Sequence, residues 1–154
     1  MNNRIKAIVW AGLLAGVLDG LAAALLFFFR TGKDPLIVYR FIASGVFGPD
    51  AQAGGLTMGI VGIIFHLIIA MGWTVVFFVA CEKIPVLLKQ PVLSGVSYGV
   101  FVWLMMNLVV IPLSRVAAQP ITLNGAIIGA SVLIVCIGLP ISLLASKYYR
   151  GLKS

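Results

Sequence analysis

Four apolar runs, at residues 7–29, 53–81, 91–113 and 121–146, decide what this chain can fold into. Each exceeds the roughly 20 residues that an α-helix needs to cross the hydrocarbon core of a bilayer. A segment surrounded by lipid must satisfy its own backbone N–H and C=O groups, and an α-helix does this within one segment. Of the 15 charged residues in the chain, 14 lie outside the four runs. The exception is Asp19. The expected fold is therefore all-α: a polytopic membrane protein forming a four-transmembrane-helix antiparallel bundle, with residues 1–154 as a single integral membrane domain. There is no soluble domain, linker or low-complexity tract.

This pattern excludes several function classes. The net charge is +7, but a nucleic-acid-binding face needs Lys and Arg clustered upon it. Here they are scattered between apolar runs, so the expected partner is the lipid bilayer and not nucleic acid. Cys81 ends the second run and Cys136 lies well inside the fourth. In an antiparallel bundle they differ in depth, so both are expected as free thiols. Their number and spacing do not suit a zinc site, and the single His66 excludes a bis-histidine haem within one chain. No metal and no cofactor are expected. No nucleophile, base and orienting group can be assigned, and there are no paired carboxylates or phosphate-cradling loop. Glu82 sits beside Lys83 at a membrane edge. An enzyme is not expected.

The N-terminus, with Arg4 and Lys6 before an apolar run, has the look of a signal peptide. A signal h-region is only about 7–15 residues long, so the longer run reads as an uncleaved first span. With four spans, Arg4, Lys6, Lys83, Lys89, Lys147, Arg150 and Lys153 share one side. Arg30, Lys33, Arg40 and Arg115 fall on the other. The positive-inside rule then places both termini in the cytoplasm.

One connection carries structure of its own. Asp34-Pro35 is a helix-start signal, because Asp accepts from orphan N–H groups and Pro is tolerated at the first helical position. Gly45, Gly48 and Pro49 are expected to stop the helix, giving a short element near 35–45 with Arg40 and Ser44 on one face. At about 15 Å it is too short to span. It is either interfacial or re-entrant. Pro112 and Pro140 are expected to terminate or kink their spans.

Small residues recur at helical spacing: Gly12, Gly16 and Gly20; Gly55, Gly59 and Gly62; Gly95 and Gly99; Gly125 and Gly129. Helices in lipid associate by close backbone packing over such residues. The ridges serve either packing within the bundle or assembly as a homo-oligomer or with a membrane partner subunit.

Asp19 carries the most weight. A charge at the bilayer centre costs about 2.5–3.5 kcal/mol on insertion scales and persists if paired, protonated or wet. Counting 1.5 Å per residue from the shared membrane face puts Asp19 at about 15 Å and His66 at about 20 Å depth, within hydrogen-bonding reach given tilt. Asn107 lies at about 9 Å. Asp19, His66 and Asn107 thus form a candidate polar track, with Arg40 and Arg115 at its outer mouth. Three readings stay open: a proton or small-solute path, a ligand site, and a single hydrogen bond that sets helix register.

From Gly62 to Leu113 the chain resembles the YagU-type inner-membrane proteins of bacteria. The residues that carry the resemblance are Phe65-His66, a run ending in Ala70 and Gly72, Lys83-Ile84-Pro85, Gly95 and Gly99, and Ile111-Pro112-Leu113. The resemblance implies a small multi-pass inner-membrane protein of a family linked with acid resistance. It carries over His66, Lys83, Pro85, Gly95, Gly99 and Pro112; Asp19 and the segment 34–48 fall outside it.

Overall fold

The computed structural model describes residues 3–116 and 120–152. Lys153 of the charge count, the first two residues and part of the third connection lie outside them. Among the described residues the chain is helical throughout, with no strand. Four long apolar helices match the four runs: α1 (Asn3–Thr31), α3 (Gly55–Lys83), α5 (Pro91–Leu113) and α6 (Leu123–Gly151). Between them lie α2 (Leu36–Phe47) and the single turn α4 (Val86–Lys89).

The boundaries follow local chemistry. α1 stops at Gly32, whose φ of +66° is left-handed and whose N–H closes on the Phe28 carbonyl at 2.7 Å. Asp34 Oδ1 accepts from the Leu36 N–H at 2.9 Å and so opens α2. The expected stop at Gly45 is not used: α2 runs on to Phe47 and ends at Gly48, φ +83°. Gly45 stays helical and packs on Ser114 and Val116 instead. Thr122 Oγ1 accepts from the Gly125 N–H at 3.1 Å and opens α6.

Glycines set the packing. On α1, Gly12 faces Met71 and Thr74, and Gly16 faces Leu67 and Ala70 of α3. On α5, Gly95 meets Gly138 and Ser142 and Gly99 meets Ile134, all of α6, while Gly129 of α6 meets Trp103. Gly59 and Gly62 of α3 receive Leu36 and Tyr39 of α2. Two glycines read as packing residues serve otherwise. A Cβ on Gly55 would meet no atom of another described part of the chain within 4 Å, and the residue occupies the left-handed region (φ +59°) at the start of α3. Among the described residues, a Cβ on Gly125 would meet only the Thr122 cap.

The N-terminal end of α1, the C-terminal ends of α3 and α6, and α4 meet at one end of the bundle. Arg4 pairs with Glu82 at 2.8 Å, and the Tyr149 hydroxyl donates to Glu82 at 3.3 Å and to the Phe78 carbonyl at 3.2 Å. Ser146 donates to the Leu88 carbonyl at 3.2 Å. Phe77, Phe78, Val102 and Ile141 fill the core, and the Tyr98 hydroxyl donates to the Trp73 carbonyl at 2.5 Å. The outside is apolar: Phe29 is 78% exposed, Trp10 72% and Leu108 61%. An apolar surface on this scale fits lipid and not water. Cys81 and Cys136 are free thiols, as expected.

Pro112 and Pro140 do more than end helices. A π turn precedes each of them, Met106–Val110 in α5 and Ile134–Gly138 in α6, ending two residues before the proline. An interior proline removes a hydrogen bond and presses on the carbonyl four residues back. A widened turn at that position absorbs both effects and lets the helix continue.

The seat of α2 yields a prediction. A Cβ at Gly62 would overlap the Tyr39 carbonyl, whereas one at Gly72 meets nothing. Gly62→Ala is expected to lower stability in detergent by about 1–3 kcal/mol, as overpacking does, while Gly72→Ala stays within about 0.5 kcal/mol. Equal unfolding midpoints for the two variants would contradict this seating.

Candidate functional site

Asp19 and His66 meet across the α1–α3 interface. His66 Nε2 lies 2.9 Å from the Gly16 carbonyl and 3.7 Å from Asp19 Oδ2. A carbonyl oxygen only accepts, so Nε2 carries a hydrogen and donates to it. In the neutral ring this leaves Nδ1 with the lone pair. The two side chains are mostly buried, 13% exposed for Asp19 and 14% for His66.

The local sequence explains the meeting. Gly16 exposes its carbonyl because no bulky side chain keeps α3 away. Gly20 does the same one turn further on: a Cβ there would lie 3.2 Å from the His66 ring and 3.0 Å from the Tyr39 hydroxyl oxygen. Two members of the α1 ridge therefore seat the histidine as well as pack the helix. Asp19 lies between them in sequence.

Tyr39 is a third polar group that the sequence reading missed. Its ring stands edge-on to His66, with centroids 6.2 Å apart. The available signal was the spacing: Leu36 and Tyr39 are three apart on α2, as are Gly59 and Gly62 on α3, so two large residues fit two gaps. Burial, and secondarily the neighbouring Asp19, push the Tyr39 phenol above its ordinary range, so it acts as a neutral hydroxyl.

Both Asp19 and His66 line a cavity of about 420 Å³. It runs from Ser114 and Val116, beside the α5–α6 connection, to Trp73, Val102 and Ile137 in the middle of the bundle. Phe41 and Gly45 of α2 cover one side, and the Arg115 N–H fastens that cover by donating to the Gly45 carbonyl at 3.0 Å. Met106 and Val110 from one π turn and Ile137 from the other form the facing wall.

The remaining residues of the expected track are elsewhere. Asn107 donates to the Trp103 carbonyl of its own helix at 2.9 Å and does not line the cavity. A helix-interior amide in lipid satisfies itself on the nearest free carbonyl lone pair, here one turn back. Arg40 reaches Asp34 at 3.3 Å, and Arg115 is exposed. Neither arginine lines the cavity. Of the segment that follows α5, Ser114 and Val116 line the cavity instead.

No family model, curated protein or solved structure matches the chain.

His66 is the only histidine, so its ring signals in NMR are unambiguous. Neutral His66 is expected as the Nε2–H tautomer. In Gly20→Ala the added methyl displaces the ring from Gly16, and the tautomer preference weakens with a stability loss of about 1 kcal/mol. A wild-type Nδ1–H tautomer would sink the assignment.

Proposed function

We propose that this chain is a small multi-pass protein of the bacterial inner membrane, with cytoplasmic termini, that handles protons in connection with a small solute at Asp19 and His66. The observation that carries the reading is the placement of both groups, 3.7 Å apart, on the wall of one membrane-embedded cavity. Ionisable residues at such depth mark relays and solute paths. Histidine is suited to exchange because its unperturbed titration falls near neutral pH. With Nε2 committed to Gly16, exchange proceeds through Nδ1 and the Asp19 carboxyl.

Access in this reading is from one end. The polar groups do not continue to Asn107, so the site receives protons and solute through the cavity beside Ser114 and Val116. The positive-inside bias makes that end the outer one. The resemblance of residues 62–113 to YagU-type proteins supports an acid-stress setting, since it includes His66. The alternative, a structural or partner-binding subunit assembled through glycine ridges, has less support. Gly12, Gly16, Gly59, Gly62, Gly95 and Gly99 already meet neighbours in the same chain.

The test is proton flux in liposomes carrying the full chain under an imposed pH gradient. Asp19→Asn and His66→Ala are each expected to reduce flux toward that of empty liposomes. Wild-type flux persisting in both variants would falsify the reading.

A further inference from the structure

We propose that the cavity binds a lipophilic amine in its protonated form, an ammonium head on an apolar body, and that amine and proton compete for Asp19. The inference rests on the reading of Asp19 as a proton-handling group and names the solute class.

Asp19 is an unfilled acceptor. Asp19 accepts no hydrogen bond from any described residue. The nearest donor, His66 Nε2, stands at 3.7 Å and already donates to Gly16. A carboxyl on a cavity wall with free lone pairs calls for a donor from outside. Arg40 is engaged by Asp34 and Arg4 by Glu82, and Arg115 is exposed and off the wall. The titratable groups facing Asp19 are His66 of α3, Tyr39 of α2 and Cys136 of α6. None of these carries a fixed positive charge. A carboxylate in an apolar wall is costly without a partner of opposite charge, and an ammonium offsets that cost better than a neutral hydroxyl.

Phe41, Phe65 and Trp73 give the cavity three rings, and most of the rest is aliphatic. Aromatic faces attract a cation within about 6 Å, and the aliphatic wall takes the apolar body. At about 420 Å³ the volume lies in the range of small-molecule sites, roughly 300–1,000 Å³. The exchange balances simply. Protonated Asp19 gives up its proton to solvent as the ammonium arrives, the carboxylate then pairs with the ammonium, and no covalent bond to carbon changes.

Isothermal titration calorimetry of the full chain in nanodiscs, with empty nanodiscs subtracted, tests this. The probe is para-butylbenzylamine, compared with para-butylbenzyl alcohol, in two buffers of different ionisation enthalpy so that released protons are counted. The amine is expected to bind saturably, with release of up to about one proton per amine. Asp19→Asn is expected to weaken the amine about tenfold or more and leave the alcohol unchanged. Retained alcohol binding shows that the variant keeps its cavity, and Ala23→Leu, which fills the wall beside Asp19, weakens both probes. Equal amine affinity in wild type and Asp19→Asn overturns the proposal, as does an alcohol bound as tightly as the amine. Infrared titration of the carboxyl stretch missing in Asp19→Asn separates the two readings. A carboxyl that titrates while no amine binds overturns the amine and leaves proton handling standing. A carboxyl that never titrates overturns both.

Discussion

Close approach of one backbone to another is the constraint on which the site depends. Gly62 has no Cβ, so the carbonyl of Tyr39 rests against α3, and α2 is drawn into the bundle. That contact seats a twelve-residue helix, too short to span, against a spanning one. With it, α2 delivers Tyr39 to the His66 ring and Phe41 and Gly45 to the cavity wall. The Arg115–Gly45 hydrogen bond then fixes the other end of α2 to the end of α5. A glycine pair that would ordinarily join two spanning helices seats a non-spanning one, and that helix supplies part of the cavity wall.

The His66–Gly16 bond works on a smaller scale by the same means. A helical carbonyl already accepts one bond within its own helix and has a second lone pair to offer. Only where the neighbouring helix comes very near can a side chain reach it. Gly16 and Gly20 create that nearness on either side of Asp19 in sequence, so the carboxyl and the imidazole come together because the backbones do. Register, tautomer and the 3.7 Å separation are consequences of one close crossing. This is why a register-setting role and a proton-handling role are not rivals at the level of geometry: the bond to Gly16 sets register through Nε2 and leaves Nδ1 free for exchange.

Much of the architecture was legible in the sequence because lipid imposes a simple rule: apolar runs of spanning length become helices. The four spans, the short helix opened by Asp34 and the free thiols followed directly. Depth counting also brought Asp19 to His66, since rise per residue is nearly constant along a helix. It failed for Asn107 because depth does not specify azimuth, and a polar amide can turn to its own helix as readily as to a cavity. Arg40 was misread for a related reason. Its strongest partner, Asp34, lies six residues away around the start of the same helix, beyond the three- and four-residue pairs that helical spacing reveals. Gly55 was misread because a glycine that packs and a glycine that adopts a left-handed turn are the same letter. Tyr39 was missed because only complementarity between two helices, three-residue spacing against three-residue spacing, distinguishes it.

The wall opposite α2 has a cause that sequence reading touched without completing. Pro112 and Pro140 stand at equal distance from their π turns, and the two turns come from adjacent helices, α5 and α6. A π turn adds a residue to one revolution, so the side chains within it swing relative to those beyond. Met106, Val110 and Ile137 lie in these turns and on the cavity wall. Gly95 and Gly99 hold α6 against α5 below the widened turn of α5, through Gly138 and Ile134 of the other. The π turn of α6 is thus held close to α5 at Ile134 and Gly138, while Ile137 between them reaches the cavity wall that Asp19 shares. A buried carboxyl in a tightly packed wall would have to be satisfied by the protein alone. Here no described residue donates to the Asp19 carboxyl, and the proposed ammonium site rests on that unfilled acceptor.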